Sequence, residues 1–291
     1  MNSILLQRIK VLWLAGTLLL CAVLGATSIV CAAPKAAPTK WAVLVGIDQY
    51  HNDEISTLRY AVADTKAMKD ALIQAGFPAT NVFTMTGDAQ GPDAPTSLNV
   101  IKRLSSLSDR IGPDDTFLFY FSGHGYQQEA GHFLATIDAD PTDPDTLEKS
   151  TLPIALLRKR MARIQAKRAI FIIDACRNDP ERGKGGGNNM LTDSFSRDLQ
   201  LVAKSTAGGQ NGSAILLACS EGERAWEWPE KGHGVFTYYL MEGLKGAAVD
   251  ARGEVTMNEL GDYVQTQVAN WSLRNFKNQT PTSNSSVPLK S

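Results

Sequence analysis

The segments FLFYF (residues 117–121) and AIFII (residues 169–173) decide the fold of this chain. Both are short, continuous apolar runs, which are typical of strands buried on both faces of a parallel sheet. The first run leads into SGHG (residues 122–125), and the second leads into DACRN (residues 174–178). Ligand chemistry in open α/β sheets gathers beyond the carboxyl ends of the strands. His124 and Cys176, each expected just past a strand end, are therefore candidates for a cysteine nucleophile and its acid/base partner.

Segments with strand and helix patterns alternate along the rest of the chain. Strands are predicted at residues 41–47, 81–84, 116–121, 168–173 and 214–219, with a further short strand or hairpin arm at 133–137. Helical spacing predicts helices at residues 58–75, 96–111, 152–165, 234–244 and 257–271. This alternation implies a doubly wound α/β domain with right-handed crossovers.

Composition places the chain among ordinary globular proteins. It has 291 residues, of which 43% are hydrophobic and 20% are charged, and its formal net charge is −1. That length suits one large α/β domain or two small ones. The near-neutral charge gives no electrostatic reason to expect nucleic acid or an anionic membrane as a partner.

The N-terminus has the pattern of a targeting segment. Arg8 and Lys10 precede a nearly uncharged stretch at residues 11–30, and small residues follow at 31–33. We expect a secretory signal over residues 1–33, cut after Ala32, because a cut after Ala33 would leave Pro34 next to it. The protein would then be periplasmic or secreted. An uncleaved segment would instead anchor it in the inner membrane, facing the periplasm.

The remaining chain divides into three parts by composition. Residues 34–40 read as a leader, residues 41–274 as the main domain, and residues 275–291 as a mobile polar tail. Residues 178–212, rich in Gly, Asn, Ser and Asp, form a long flexible loop inside the domain, and such loops are usually functional or disordered. Outside the signal the cysteines are Cys176 and Cys219, which we expect to remain thiols, with Cys219 buried.

The two motifs resemble the signatures of the caspase/metacaspase superfamily of cysteine peptidases, peptidase family C14 of clan CD. In a caspase signature the histidine precedes the cysteine by about fifty residues, as here. The resemblance runs from about Trp41 to Trp271 and includes AVLVGI (42–47), LRYAVAD (58–64) and GHGVFT (232–237). Asp174 and Asn178 stand where the animal signature has Gln and Gly, which favours the bacterial metacaspase-like (orthocaspase) branch. The implied fold is a three-layer α/β/α sandwich around a mostly parallel sheet of roughly six strands.

The resemblance implies catalysis by a Cys–His dyad. Cys176 would attack the peptide carbonyl, and His124 would protonate the departing amine, giving an acyl-enzyme that water resolves. The backbone N–H groups of Gly125 and Cys176 would form the oxyanion hole. The partners would be peptides or proteins, with the enzyme itself a monomer. The alternative is a non-catalytic caspase-like module that binds peptides.

Three positions match the pocket with which metacaspases bind arginine or lysine, namely Asp64, Ser122 and Asp174. Asp174 lies two residues before Cys176, so the two-residue period of a strand places both on one side. A desolvated carboxylate needs a cationic partner, which a substrate Arg or Lys supplies. We therefore expect cleavage after Arg and then Lys. The plainer alternatives are that Asp174 caps a turn and that Asp64 is a solvated helix residue.

Other polar residues receive more ordinary interpretations. His51, His132 and His233 are expected as surface or loop histidines. No metal site is assigned and no cofactor is required by the motifs, but four aspartates between residues 138 and 145 leave Ca²⁺ open: Asp138, Asp140, Asp143 and Asp145. Their spacing departs from an EF-hand loop. Basic residues at 177–212 make self-cleavage in the loop after Cys176 a further expectation: Arg182, Lys184, Arg197 and Lys204.

Overall fold

A computed structural model of the protein describes residues 37–128, 131–176, 197–198, 212–220 and 223–285. The expected signal at 1–33 and almost all of the loop at 178–212 lie outside these residues. Of the helices within the described ranges, none is both long and apolar enough to cross a membrane.

A central sheet organises the described part of the chain. Its strands are β1 (Lys40–Gly46), β2 (Val82–Thr86), β3 (Thr116–Gln128), β6 (Arg168–Cys176), β7 (Gly212–Leu217) and β10 (Thr282–Ser285). They lie in the order β10-β7-β6-β3-β1-β2. Every neighbouring pair is parallel except β10 with β7. Two short strands, β4 (Gly131–Leu134) and β5 (Leu152–Pro153), extend β3 on one side, and β8 (Glu227–Trp228) pairs with β9 (His233–Gly234).

Within the described ranges, six α-helices have defined bounds. They are α1 (Ala61–Gln74), α2 (Ser97–Leu107), α3 (Pro144–Ser150), α4 (Ile154–Met161), α5 (Val235–Glu242) and α6 (Met257–Arg274). A π-helical turn follows α5 at Gly243–Ala247, and single 3-10 turns lie at Ala79–Asn81 and Gly91–Asp93. Thr96 caps α2 as its sequence predicts, because its side chain accepts a hydrogen bond from the Asn99 amide.

Alternate residues of the strands build two separate cores. Val43, Phe119 and Phe171 point to the side covered by α2 and α4. Leu44 and Tyr120 point to the side covered by α1, α5 and α6. Continuous apolar strands are needed because both faces of the sheet are buried. The predicted three-layer α/β/α sandwich with a mostly parallel sheet is confirmed.

Several element boundaries differ from the sequence-based expectation. Helix α1 begins at Ala61 rather than residue 58, and α4 covers Ile154–Met161 rather than residues 152–165. The acidic segment at residues 138–145 is not all loop, because α3 begins at Pro144 with Asp143 as its cap. A proline fits the first helical position because the N–H that it lacks has no partner within the helix. This local signal favours a helix even though the neighbouring aspartates suggest a loop.

The C-terminal region also differs. The expectation of a mobile tail from residue 275 is wrong for Thr282–Ser285, which pairs with β7 as an antiparallel strand. Glu223 fixes the approach to this strand, since its carboxylate accepts hydrogen bonds from both the amide and the hydroxyl of Thr280. Polar composition did not reveal this strand, because edge strands need no apolar run of their own.

Candidate active site

The two motif residues lie side by side on neighbouring central strands. His124 of β3 is in register with Cys176, the last residue of β6. Neighbouring strands are separated by about 4.8 Å, so the two backbones approach within reach of a shared substrate. His124 does not follow the end of its strand as expected. Strand β3 continues to Gln128, because beyond His124 it leaves the parallel sheet and pairs with β4 instead.

His124 is buried and held from two sides. Its amide donates to the Tyr50 hydroxyl at 2.9 Å, and the Tyr50 ring lies 5.3 Å from the imidazole. Its Nε2 lies 2.7 Å from the Ser56 carbonyl oxygen. A carbonyl only accepts, so this contact assigns the proton to Nε2 and makes Nδ1 the basic nitrogen of the neutral ring. The contact with Ser56 thus favours the neutral tautomer that carries its proton on Nε2.

The amide of Gly125 is directed away from β4. The Ala135 amide donates to the His124 carbonyl at 2.9 Å, which makes Gly125 and Leu134 a pair without direct hydrogen bonds in this antiparallel ladder. The N–H of a residue in such a pair points away from the partner strand. For Gly125 that direction is the β6 side, where Cys176 ends its strand.

The three residues expected to bind substrate come together in one pocket. Asp64 reaches it from α1, Ser122 from β3 and Asp174 from β6. Ser122 and Asp174 are direct cross-strand neighbours, and all three side chains are buried. The remaining lining comes from the chain before α1 and from the β8–β9 region: Leu58, Tyr60, Ala61, Ala225, Trp226, Glu227 and Gly234.

The two aspartates of the pocket have different partners. One oxygen of Asp64 lies 2.7 Å from His233 Nδ1, and the other accepts from the Gly234 amide at 3.0 Å. Asp174 accepts from the Thr237 hydroxyl at 2.7 Å. That hydroxyl is also 2.8 Å from the Tyr120 hydroxyl, which is fully buried. Neither aspartate is a turn cap or a solvated helix residue.

Burial controls the ionisation of this pocket. It raises the pKa of Asp64 to about 6, against the opposing effect of hydrogen bonds from His233 and Gly234. It raises the pKa of Asp174 to about 7, and the nearby charge of Asp64 adds to the rise. Burial and the two carboxylates also raise the pKa of Tyr120 well above its usual value. The empty pocket therefore disfavours two simultaneous negative charges.

The contacts around these side chains include residues that sequence reasoning missed. His233 is not a simple loop residue, because it pairs with Asp64. Thr237 donates a hydrogen bond to Asp174. His233 and Thr237 both lie in the GHGVFT segment, whose resemblance to the family was the only signal in the sequence. Ser56 had no signal at all, since it contacts His124 through its backbone carbonyl. Tyr50 likewise follows β1 without any motif.

The remaining candidates lie outside this pocket. His51 is exposed, whereas His132 is a buried residue of β4 whose Nδ1 lies 2.9 Å from Asp198, so its expected surface position is wrong. Cys219 is buried as predicted. Arg182, Lys184 and Lys204 fall outside the described residues.

Three of the four aspartates considered for calcium accept hydrogen bonds from the protein. Asp138 accepts from the Ser97 amide, Asp140 from Asn52 and Thr142, and Asp143 from Asp145 and Thr146. Within the part of the chain that the structure describes, no group of three or more His, Cys, Asp or Glu side chains is arranged to hold a metal. Asp143 acts here as a helix cap.

Comparison with known proteins gives a consistent family. The model of the caspase domain matches residues 39–290. A probable protease of a Desulfuromonadales bacterium is 27% identical over 263 residues, covering 83% of this chain and 31% of that protein. Metacaspase-1A of Aspergillus niger is 28% identical over 219 residues, covering 64% of this chain and 50% of that protein.

A solved structure shares the fold. A crystal structure of a Geobacter sulfurreducens protein superposes with a TM-score of 0.56 at 15% identity, covering 85% of this chain and 93% of that one. The chain spans only 31% and 50% of the lengths of the two curated relatives named above. The family match nevertheless covers nearly all of the described domain, including both motif strands. The chain belongs to the caspase-domain family of cysteine peptidases, peptidase family C14, and resembles its metacaspase members.

Proposed function

We propose that this protein is a cysteine endopeptidase that cleaves peptide bonds after arginine or lysine. The observation that carries the proposal is the pair of buried carboxylates, Asp64 and Asp174, which line one pocket beside the His124 strand. No Lys or Arg side chain of the described residues forms an ion pair with either carboxylate. Buried carboxylates that no Lys or Arg neutralises favour a ligand that brings a cation.

Cys176 is the proposed nucleophile and His124 its acid/base partner. The Ser56 carbonyl holds the imidazole so that Nδ1 exchanges protons with the thiol and then with the leaving amine. The Gly125 and Cys176 amides stabilise the oxyanion that forms on the attacked carbonyl. Water then hydrolyses the thioester and regenerates the thiol.

Arginine is the preferred residue in this proposal. Its guanidinium presents five donors in a planar fork, which suits two carboxylates and the Ser122 hydroxyl on different strands. The lysine ammonium is a compact charge with three donors, and it satisfies fewer of these acceptors at once. Lysine substrates are therefore cleaved, but with a lower kcat/KM.

The experiment compares peptides that differ only in the residue before the cleaved bond: Arg, Lys, citrulline or Asp. We expect turnover with Arg above Lys, none with the uncharged isostere citrulline, and none by Cys176→Ala. Asp174→Asn is expected to lower kcat/KM for the Arg peptide by about a hundredfold, since truncating one partner of a buried charge pair costs about 2–5 kcal/mol.

Asp70→Asn, an exposed change on the same helix as Asp64, serves as the matched control. The assay is run with added Ca²⁺ and with a chelator, which tests calcium directly. Equal cleavage of the Arg and citrulline peptides would contradict the proposed specificity. Absence of turnover in every condition, with no labelling of Cys176 by an arginyl chloromethylketone, would favour a peptide-binding module.

The proposal extends to processing, location and assembly. We propose that the protein cleaves itself in the loop after Cys176, acts as a monomer and is exported. Self-cleavage predicts fragments in the wild type that the Cys176→Ala protein lacks. Fractionation of cells and the mass of the mature protein, which shows where its N-terminus lies, test export. Sedimentation tests the monomeric state.

A further inference from the structure

Asp64 and Asp174 face one point in the pocket. A β-carbon placed on Gly234 would lie 3.0 Å from Oδ2 of Asp64 and 3.2 Å from Oδ2 of Asp174. Two carboxylates this close repel each other when both are ionised, and burial strengthens the effect. The two acids are therefore stabilised by a cation or by a proton on one of them.

The groups around the two carboxylates come from every element of the pocket. The ionisable ones are Asp48 after β1, Tyr60 before α1, Tyr120 of β3, Glu227 of β8 and His233 of β9. The Asp48 carboxylate is used by the Val62 amide, and Glu227 by the Arg59 amide. Among the described residues that act electrostatically on the two carboxylates, His233 is the one basic side chain, and its Nδ1 lies 2.7 Å from Asp64.

The two aspartates differ in how they can hold charge. Asp64 and His233 share one proton in their 2.7 Å contact, whichever atom carries it. The Gly234 amide gives Asp64 a second donor. Asp174 instead receives the Thr237 hydroxyl, which itself contacts Tyr120, so that its donors are neutral groups. A proton added to the pocket is therefore better accommodated on Asp174.

We propose that His233 is a positioning residue of this pocket, which keeps Asp64 ready for a cationic side chain and leaves Asp174 as the acid that releases a proton to solvent when that side chain enters. This inference rests on the proposed function, since it assumes that arginine or lysine occupies the pocket. It adds that binding of the cationic side chain is coupled to proton release, and that His233 sets the pH range in which this side chain binds.

The direction of the pH dependence follows from the raised pKa values. The carboxylates are protonated below their pKa values of about 6 and about 7 and cannot then pair with a cation. Affinity for arginine should rise with pH through this window and level off above it. Removing His233 removes a hydrogen bond and a charge that both lower the pKa of Asp64. The pH range over which affinity rises should therefore move to higher pH.

The test uses the full chain carrying Cys176→Ala, with acetyl-arginine amide as the probe and acetyl-citrulline amide as its uncharged control. Calorimetry in two buffers of different ionisation enthalpy counts the protons exchanged on binding. We expect release of up to one proton per arginine between pH 6 and 7, and much less at pH 8.5. Binding that releases no proton at any pH would overturn the inference.

Variants at His233 separate its charge from its shape. At pH 6.5, His233→Ala should weaken arginine binding about tenfold, because the pKa of Asp64 rises and its carboxyl is then mostly protonated, and binding should largely recover at pH 8.5. His233→Asn keeps a neutral donor and should fall between Ala and wild type. His51→Asn, an exposed histidine, should change nothing.

The outcomes distinguish this inference from the proposed function. If the His233 variants lose the same factor at every pH, His233 is only structural and the inference fails, while the arginine pocket stands. If the parent protein binds arginine and citrulline amides equally, the proposed specificity fails first. Circular dichroism of each variant shows whether it folds, and His233→Asn provides a second test should His233→Ala not fold.

Discussion

At the scale of single residues, the position of His124 depends on contacts from residues outside its own motif. Tyr50 accepts a hydrogen bond from the His124 amide, and its hydroxyl lies 3.0 Å from the position that a β-carbon of Gly123 would take. Gly123 thus leaves room for Tyr50 to reach the histidine backbone. We therefore expect Tyr50 to position His124 through its backbone, without an acid/base role of its own.

Tyr50→Phe is expected to lower both stability and turnover. The His124 amide would lose its partner in a buried position, which costs about 1–3 kcal/mol. Urea unfolding measures the loss of stability, and kcat with the Arg peptide measures the effect on His124. Tyr239→Phe, on α5 at the other face of the sheet, is the control. A normal kcat in Tyr50→Phe would show that this contact does not position the imidazole.

The residue contacts also show where sequence reasoning stops. His124, Asp64, Ser122 and Asp174 were found because each lies in or beside a recognisable motif. Ser56 is 68 residues from His124, and His233 is 169 residues from Asp64. Such contacts depend on how the helices pack, and no local pattern records them. The orientation of the His124 ring and the ionisation of the pocket were therefore beyond prediction.

At the scale of elements, β3 joins two structures. Its first half is an apolar central strand, and its second half pairs only with β4. The apolar run predicted the first half well, because burial on both faces demands such residues. The polar second half gave no strand signal, since its pairing depends on the β4 partner. The change of partner strand occurs at His124, opposite the last residue of β6.

Helix α1 is fixed to β1 by a close contact at Gly46. A β-carbon there would overlap the Thr65 hydroxyl and the Ala61 carbonyl. Gly46→Ala should therefore push α1 away from the sheet and destabilise the fold by about 1–3 kcal/mol. Because Asp64 lies on the same helix, the KM for the Arg peptide should rise as well.

Gly87→Ala is the matched control, because its added carbon would meet its nearest atoms at 3.9 Å, an ordinary contact. Urea midpoints of the two variants measure the difference. Equal midpoints would show that the β1–α1 contact relaxes without cost.

At the scale of the whole molecule, the sheet is completed by a strand from the far end of the described chain. Strand β10 covers β7, and Ser283 packs against Gly261 of α6, where a β-carbon would lie 2.7 Å from it. The overall α/β/α architecture was predictable from alternating segments. This last strand was not, because four polar residues carry no periodic signal.

Proline substitutions test the role of β10. Neighbouring residues of an antiparallel strand alternate in whether their N–H faces the partner. Ser283 and Asn284 are neighbours, so the N–H of one of them faces β7 and the N–H of the other does not. The proline substitution that removes the N–H facing β7 should lower stability more, and the other proline substitution serves as its control. Urea unfolding and size-exclusion chromatography measure stability and association. Equal, small effects would mean that β10 adds little to the sheet.

Strand β10 also affects the order in which the protein can be made. It is synthesised after every other described strand, so a nascent chain carries β7 with one edge of backbone N–H and C=O groups open. Open edges of apolar strands recruit other chains. The sheet can close only after the ribosome has released the segment that contains Thr282–Ser285. Until then, the open edge of β7 is a place where the growing chain can pair with another chain.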